Sequence, residues 1–443
     1  MRQITIVLLT MIMTLGIVPT SYAEKNTLQE LIDQVPKGGE IKLEAETYEG
    51  NIVIKKPLKI IGQKGTMIKG DGTDNVIEID SHDVTLDGLE ITGSGMSRDS
   101  EQEHSGVRVM GNNVVLKNLT INKSFHGVLL NRIDNTVMKN LTITGEDSGS
   151  LSEQGNGIHI LRSNHSTIED SYIHDFRDGV YIEYSDNNEI NNNTMTQTRY
   201  GLHYMYSDYN TFKDNKFIRN IGGAAIMHSD YIMLENNEFS FNQGSRSFGL
   251  LIQTSREIHV LNNEFHLNQR GLLLEHATGN EIEGNEFFHN QIGIELWTSA
   301  IGNVFSENKF IKNTNHVLTV GGESNNQWSA MSGKGNYWNE PMIDLDEDGT
   351  GDFAFEYTSS LGELIERSEL AYLFLESPAI NIYEKTNEIL GNQSVMALDE
   401  YPMIESEKNM FYFKVIGIGI MIFGIIYWYI NHRKRRNKKD NTI

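Results

Sequence analysis

A 22-residue repeat runs through the middle of the 443-residue chain and restricts its fold more than any other feature. Most units start with a glycine, and apolar residues then alternate in twos, as in Val180 and Ile182, which is the periodicity of a β-strand. The unit glycines are Gly157, Gly179, Gly201, Gly223, Gly249, Gly271 and Gly293, spaced by 22 residues except for one interval of 26. A single unit cannot bury its own apolar side, so the units must stack on one another.

The repeat therefore predicts an all-β chain folded as a right-handed parallel β-helix, with three short strands in each coil of about 22 residues. An asparagine recurs 14 residues after most of the glycines, and asparagines stacked in successive coils can form a hydrogen-bonded ladder inside a turn. These residues are Asn193, Asn215, Asn237, Asn263 and Asn285, with Asn308 one residue late. We predict that they are structural.

Both ends of the chain carry patterns typical of membrane proteins. Arg2, an apolar run and the small-residue sequence Ser21-Tyr22-Ala23 predict a cleaved signal peptide. The stretch 411–430 is mostly apolar and has the roughly 20 residues that a membrane-spanning helix needs. Lysine and arginine residues follow it, which by the positive-inside rule indicates a cytoplasmic tail. We therefore expect a single-pass protein of the cell membrane whose body lies outside the cytoplasm.

The patterns divide the chain into six segments. They are a signal peptide at 1–23, an N-terminal cap at 24–40 with a short amphipathic helix at 28–35, the β-helix at 41–336, a C-terminal extension at 337–409, a transmembrane helix at 410–430 and a basic tail at 431–443. Insertions follow Gly93, Gly145 and Asn242, always before a repeat glycine. They should therefore form a lip at one corner of the coils.

Charge and cysteine content exclude several classes of function. The formal net charge of −23 argues against nucleic acid as a partner, because phosphate binding requires lysine and arginine clustered on one face. The chain has no cysteine, which excludes disulfide bonds and thiolate metal ligands. Any metal ion must therefore be held by histidine, methionine or carboxylate groups.

The strand that starts at each glycine presents an apolar and aromatic outer face beside this lip. Such a face usually marks an interaction site, although an insertion or a later segment that covers it is the alternative. We predict that clients or partners bind a face composed of His159, Tyr181, His203, Met205, Met227, Leu251, Leu273 and Trp297.

Two groups of residues are candidate metal ligands, although no cofactor is required. His203, Met205 and Met227, with His228 nearby in sequence, combine imidazole and thioether donors that suit Cu(I); the alternative is that they are contact residues. Asp344, Asp346, Asp348 and Asp352 have the spacing of a calcium loop, but Phe355 occupies the position where a bidentate glutamate is expected. An acidic turn that stays solvated is the alternative there.

The sequence does not predict an enzyme. Glu183, Glu275 and Glu295 point outward, yet no clear pair of carboxylates at the spacing of a glycoside hydrolase is evident. A carbohydrate-active β-helix enzyme, either a lyase or a hydrolase, and a surface adhesin remain as alternative functions.

Several stretches together resemble the NosD family. They are "RDGVYIEYSDNNEI", "RYGLHYMYSDYNTF", "GGAAIMHS", "GNYWNEPMIDLDEDGTGD" and "LFLESPAI", and the resemblance extends from about residue 26 to about residue 404. It implies an extracytoplasmic β-helix that works with the ATPase and membrane subunits of an ABC transporter. The implied task is to help assemble the copper–sulfide cluster of nitrous oxide reductase, with that reductase and a copper chaperone as partners.

Two features depart from the family pattern. A C-terminal transmembrane segment is not part of the soluble NosD pattern, and "GDFAF" stands where the family usually has "GD.PY". The chain also contains no P-loop, so ATP hydrolysis would belong to a partner.

Overall fold

Stacked coils form the body of the protein in a computed structural model that describes residues 27–96, 103–146, 150–244, 246–322 and 325–404. The described residues form three parallel sheets of 12 strands each, in which neighbouring strands come from successive coils. Residues 22 apart in sequence are paired across most coils, as Leu202 is with Ala224. The predicted parallel β-helix is therefore confirmed.

The three sheets are named A, B and C in the order in which their strands occur within a coil. Sheet A consists of Gly39–Lys42, Leu58–Ile61, Val84–Asp87, Val115–Lys117, Val137–Lys139, Thr167–Glu169, Glu189–Asn191, Thr211–Lys213, Met233–Glu235, His259–Leu261, Glu281–Glu283 and Val304–Ser306. Sheet B consists of Thr47–Glu49, Met67–Lys69, Glu90–Thr92, Thr120–Asn122, Thr142–Thr144, Tyr172–His174, Thr194–Thr196, Lys216–Ile218, Glu238–Ser240, Glu264–His266, Glu286–Phe288 and Lys309–Ile311. Sheet C consists of Ile52–Ile54, Ile77–Ile79, Ser105–Val109, His126–Asn131, Asn156–Leu161, Asp178–Glu183, Tyr200–Met205, Gly222–Met227, Phe248–Gln253, Arg270–Glu275, Ile292–Trp297 and Asn315–Val320.

A short helix, α1 (Thr27–Gln34), covers the first coil. Its apolar side chains Leu28 and Ile32 are buried in the same core as the coils. The side chain of Gln29 donates to the carbonyl of Val53 and accepts from its amide, at 3.1 and 2.8 Å. The helix therefore satisfies backbone groups on the first strand of sheet C, which would otherwise be an unpaired edge.

One continuous hydrophobic core runs through the coils. Its most regular part is a column of phenylalanines contributed by sheet B, with ring centroids 4.7–5.2 Å apart. The column consists of Phe217, Phe239, Phe265, Phe287 and Phe310, and it ends on Trp338. The spacing of the rings matches the distance of about 4.8 Å between hydrogen-bonded strands, so each ring packs on the ring of the next coil.

The predicted asparagine ladder is also present. The side-chain oxygen of Asn237, for example, accepts from both the backbone amide and the side-chain amide of Asn215, at 2.9 and 3.1 Å. The ladder ends at Asn336, whose amide donates to the buried carboxylate of Asp399 at 2.7 Å. Burial raises the pKa of Asp399 above its ordinary value, although several hydrogen bonds to its carboxylate oppose that shift.

A second ladder occupies the turn between sheets B and C, and the sequence interpretation missed it. Its members are Asn220, Asn242, Asn268, Asn290 and Asn313, each of which accepts from the backbone of the residue one coil earlier or donates to a core carbonyl. Asparagines three residues before Gly223, Gly271 and Gly293 were the available signal, but the insertion after Asn242 hides their regular spacing.

The C-terminal extension folds back over the last coils. It contains α2 (Leu361–Arg367), a 3-10 helix at Glu369–Phe374, α3 (Pro378–Leu390) and an antiparallel pair of strands, Phe355–Ser359 with Ser394–Asp399. Its apolar residues pack against Ile292 and Leu318 of sheet C. The extension therefore covers the outer face of sheet C at the C-terminal end of the β-helix.

The predicted signal peptide, transmembrane helix and basic tail lie outside the described residues. Among the residues that the structure does describe, no helix is long and apolar enough to cross a membrane.

We predict that the ladder contributes strongly to stability. The substitution Asn237→Ala removes the shared acceptor of two buried amides of Asn215, which should lower the free energy of unfolding by about 2–4 kcal/mol. Guanidinium denaturation measures this loss. The matched substitution Glu264→Ala, at an exposed position of the next coil, should change it by less than about 0.5 kcal/mol. Equal effects of the two substitutions would contradict a structural role for the ladder.

Candidate functional site

Outward side chains of sheet C lie in two columns beside the insertions. The inner column contains His159, Tyr181, His203, Ala225, Leu251, Leu273 and Glu295, which are partners in successive strands. The outer column contains Leu161, Glu183, Met205, Met227, Gln253 and Glu275, and Trp297 continues it in the next coil. The two columns include every residue of the predicted binding face.

The inner column is buried except for Tyr181, which corresponds to the alternative that other parts of the chain cover this face. His159, Leu251 and Leu273 are each 7% exposed, and His203 is 9% exposed. The residue before each repeat glycine also lies on this face, so Tyr200 and Phe248 pack over the column. The glycines themselves allow close approach of the coils, because a Cβ on Gly201 would lie 2.7 Å from the carbonyl oxygen of Gly223.

The extension covers the inner column further along the β-helix. Glu295 is 1% exposed, and its carboxylate accepts from Arg270 Nε at 2.6 Å and from the hydroxyl of Tyr372 at 2.8 Å. The guanidinium of Arg270 also lies 4.3 Å from the centre of the Tyr372 ring. Glu295 therefore cannot form the carboxylate pair of a hydrolase with Glu275, whose own carboxylate accepts from Gln253.

The accessible part of the face is the outer column together with Tyr181. Tyr181, Met205 and Met227 are half-buried, and Trp297 is 41% exposed. Met205 and Met227 are direct partners in neighbouring strands, as the sequence predicted. Tyr181 stacks between His159 and His203, with centroid distances of 4.8 and 4.6 Å, so its ring is held in a fixed orientation.

A buried carboxylate holds His203 in place. Asp178 is completely buried and accepts from Arg199 Nη2 at 2.6 Å and from His203 Nδ1 at 3.1 Å. Burial raises the pKa of Asp178, but the hydrogen bonds from His203 and Arg199 outweigh that effect and hold the pKa below its ordinary value. Nδ1 of His203 lies closer to the Asp178 carboxylate, which can only accept, than to Arg199 Nη2 at 3.3 Å, so we assign the ring proton to Nδ1 and Nε2 is left as the metal donor.

His228 lies apart from His203. It is exposed at the corner after the strand, where it stacks on Tyr206 with ring centroids 5.1 Å apart. Tyr206 in turn stacks on Tyr184, and the guanidinium of Arg162 lies 5.6 Å from the centre of the Tyr184 ring. The structure therefore does not add His228 to the group of His203, Met205 and Met227.

The exposed rings at this corner were missed by the sequence interpretation. Tyr184 is 47% exposed and Tyr206 is 43% exposed, and both adopt positive φ angles near 50° that Asn or Gly would adopt more easily. The recurring sequences Tyr-Ser-Asp at 184–186 and 206–208 and His-Ser-Asp at 228–230 were the available signal. In these sequences the serine is buried and the carboxylate accepts a backbone amide of the next coil.

The acidic loop brings together three of its four predicted ligands. Carboxylate oxygens of Asp344, Asp346 and Asp348 lie within 4.8 Å of one another. Repulsion from Asp348 is the main reason that the pKa of Asp346 is raised. Asp352 instead accepts from the amide of Leu345 at 2.9 Å, so it stabilises the turn.

Comparisons with known proteins find a partial match to one family. Residues 145–342 match the model of a family described as "Periplasmic copper-binding protein (NosD)". Proteins named "Probable ABC transporter binding protein NosD" from Pseudomonas aeruginosa and Stutzerimonas stutzeri are 35% and 31% identical to this chain over 114 residues. Each of these matches covers 26% of this chain and 26% of the relative, so the aligned part is about a quarter of the relative's length.

Solved structures show a similar fold. The A-module of the mannuronan C-5 epimerase AlgE6 from Azotobacter vinelandii has a TM-score of 0.50 and 11% identity, over 71% of this chain and 94% of the module. A family 28 exopolygalacturonase from Yersinia enterocolitica has a TM-score of 0.51 and 10% identity, over 71% of this chain and 75% of the enzyme. At such low identity these structures indicate the fold and not the activity. The family match over residues 145–342, the NosD relatives and the parallel β-helix all agree with the resemblance to the NosD family that the sequence indicated.

Proposed function

We propose that this protein is an extracytoplasmic accessory protein that assists copper–sulfide cluster assembly in nitrous oxide reductase, together with an ABC transporter. The observation that carries the proposal is the accessible strip formed by Tyr181, Met205, Met227 and the neighbouring rings of Tyr184 and Tyr206. This strip lies within the segment that matches the NosD family model. It supplies apolar and aromatic contact area of the kind that protein interfaces use.

Charge favours a partner with a basic rim. Asp186, Asp208 and Asp230 form a column next to the exposed rings, and each carboxylate accepts a backbone amide at its Oδ1 atom, while Oδ2 of Asp230 also accepts from Arg256 Nε at 2.8 Å. The formal net charge of −23 adds a long-range attraction for a positively charged surface. The partners we propose are the reductase, the ATPase and membrane subunits of the transporter, and a copper chaperone.

The β-helix is suited to be a rigid scaffold and not an enzyme. Its coils are joined by continuous ladders, so a force applied at one end is transmitted along the stack with little bending. ATP hydrolysis would belong to the transporter.

The description of the family as periplasmic supports a location outside the cytoplasm. We propose that residues 1–23 direct export and that residues 410–430 anchor the chain in the membrane.

Copper is a cargo in this proposal. Met205 and Met227 offer two soft thioether sulfurs on adjacent coils, and His203 offers Nε2 on the same face, a donor set that fits Cu(I). Because both methionines are half-exposed, an ion held there would be accessible to a docked client.

The function is tested by deleting the gene and complementing the deletion strain. Without the protein, we expect the reductase to accumulate with its electron-entry copper centre but without its catalytic cluster, which metal analysis and visible spectra of the purified reductase detect. Wild-type protein and the control variant Glu264→Ala should restore the cluster. The double variant Tyr184→Asn/Tyr206→Asn should restore less of it, since asparagine keeps the positive φ but removes the rings. Normal maturation in the deletion strain would favour the adhesin alternative.

The cargo site is tested by replacing both thioethers. The double variant Met205→Leu/Met227→Leu keeps side-chain volume and should weaken Cu(I) binding by about tenfold or more in a chelator competition, because soft ligands are lost. Met233→Leu, a half-buried methionine of sheet A, is the matched control and should leave the affinity unchanged. Unchanged affinity in the double variant would exclude the copper role while leaving docking intact.

We further propose that the loop at 344–348 binds Ca²⁺ and stabilises the junction between the β-helix and the extension. A divalent cation would relieve the repulsion that raises the pKa of Asp346. Calorimetry should detect weak binding, with a dissociation constant on the order of 10⁻⁴–10⁻³ M, as in extracellular calcium modules. Asp346→Asn should abolish the binding heat, whereas Glu347→Gln at the exposed neighbouring position should not. Equal heats for both variants would exclude this site.

A further inference from the structure

His159 is a buried histidine for which the described part of the chain offers no hydrogen-bond partner. Its side chain is only 7% exposed, and neither Nδ1 nor Nε2 contacts a donor or an acceptor of any residue that the structure describes. The ring of Tyr181 covers one side, and the ring of His126 lies on the other side at a centroid distance of 5.4 Å. Burying an imidazole with both nitrogens unsatisfied costs free energy, so a bound ligand that contacts this side chain would relieve that cost.

His126 and Glu103 lie next to this unsatisfied ring. His126 is 2% exposed, and its Nδ1 accepts from the backbone amide of Asn156 at 2.9 Å. Its Nε2 therefore carries the ring proton and donates it to Glu103 Oε2 at 2.9 Å. One potential ligand atom from each of Glu103, His126 and His159 lies within 4.8 Å of the other two.

We propose that Glu103, His126 and His159 together bind one divalent transition-metal ion of the borderline class, Zn²⁺ or Cu²⁺. Two imidazoles and one carboxylate form a donor set that these ions prefer, and the set leaves at least one coordination position open. No thioether takes part, so the site differs in chemistry from the Cu(I) donor set at Met205 and Met227.

Binding requires a small rearrangement. Bond lengths of about 2.0–2.2 Å to nitrogen and oxygen place the ligand atoms of a tetrahedral ion about 3.4 Å apart. The ligand atom of His159 must therefore approach the other two by about 1 Å, whereas His126 Nε2 and Glu103 Oε2, now 2.9 Å apart, must separate slightly. The Nε2 proton of His126 moves to Nδ1, and the amide of Asn156 gives up its hydrogen bond. Burial lowers the pKa of His159 to about 3, with the nearby His126 adding to the shift, so this ring is neutral at pH 7 and has a lone pair available.

The ligands come from different parts of the coil. Glu103 belongs to the first insertion, which begins after Gly93, whereas His126 and His159 lie on successive strands of sheet C. Glu103 and His126 precede residues 145–342, the segment that matches the family model. The inference therefore does not depend on the proposed function. It assigns to the first insertion the role of supplying one metal ligand.

The test is a titration of the full-length, metal-free protein with Zn²⁺ and with Cu²⁺, followed by calorimetry and by electron paramagnetic resonance of the Cu²⁺ form. We expect one ion per chain. Glu103→Gln and His159→Phe should each weaken binding by about 10–100-fold or more, since even residues that only support metal ligands have effects of that size. His174→Gln, which removes a half-buried histidine on sheet B, is the matched control and should bind normally.

The resonance spectrum distinguishes this site from adventitious surface binding. Hyperfine coupling to two imidazole nitrogens is expected for the wild type and to one for His159→Phe. If circular dichroism shows that His159→Phe does not fold, the affinity of Glu103→Gln and the wild-type resonance spectrum still test whether the ion binds at this site. The absence of saturable binding, or equal affinities for the wild type and Glu103→Gln, would overturn the inference. Normal Zn²⁺ binding by Met205→Leu/Met227→Leu would show that this site and the proposed Cu(I) site are separate.

Discussion

Stacking of one coil on the next is the interaction on which the rest of this structure depends. A single coil has no core of its own, so its strands, its rings and its turn asparagines are all satisfied by the coils before and after it. The phenylalanine column and the asparagine ladders have the same spacing as the strands, because all of them repeat once per coil. Every outward side chain is consequently placed in a column, and a binding face is a set of neighbouring columns.

The columns do not by themselves decide what a partner can reach. The inner column of sheet C is closed first by Tyr200 and Phe248 and then by the extension, whose Tyr372 completes the buried pair of Arg270 and Glu295. Tyr372 donates to the buried carboxylate of Glu295 and its ring lies against Arg270, and a lost hydrogen bond to a buried charge is costly, so this contact holds the extension on the β-helix. What remains accessible is the strip around Tyr181, Met205 and Met227 and the exposed rings of Tyr184 and Tyr206.

Polar groups on this face are organised in two different ways. Asp178, Arg199 and His203 satisfy one another, which is typical of a structural network that orients the stacked rings. His159 is equally buried but has no hydrogen-bond partner among the described residues, and it faces His126, which is bonded to Glu103. The two histidines are only two coils apart in one column, yet hydrogen bonds hold His203 whereas none holds His159 among the described residues, which is why a separate metal site is proposed at His159.

The sequence alone determined the repeat, the parallel β-helix, the first asparagine ladder and the pairing of Met205 with Met227, because a fixed period assigns every residue to a place in the coil. The resemblance to the NosD family agrees with the family-model match over residues 145–342. The burial of His203 and Leu251 was decided only by tertiary structure, since packing by Tyr200 and Phe248 does not follow from the period. The convergence of Glu103 with His126 and His159 depends on an insertion outside the repeat. Periodicity is a local property of the chain. Which side chains become covered, and which ligands come together, depends on contacts between segments that are distant in sequence.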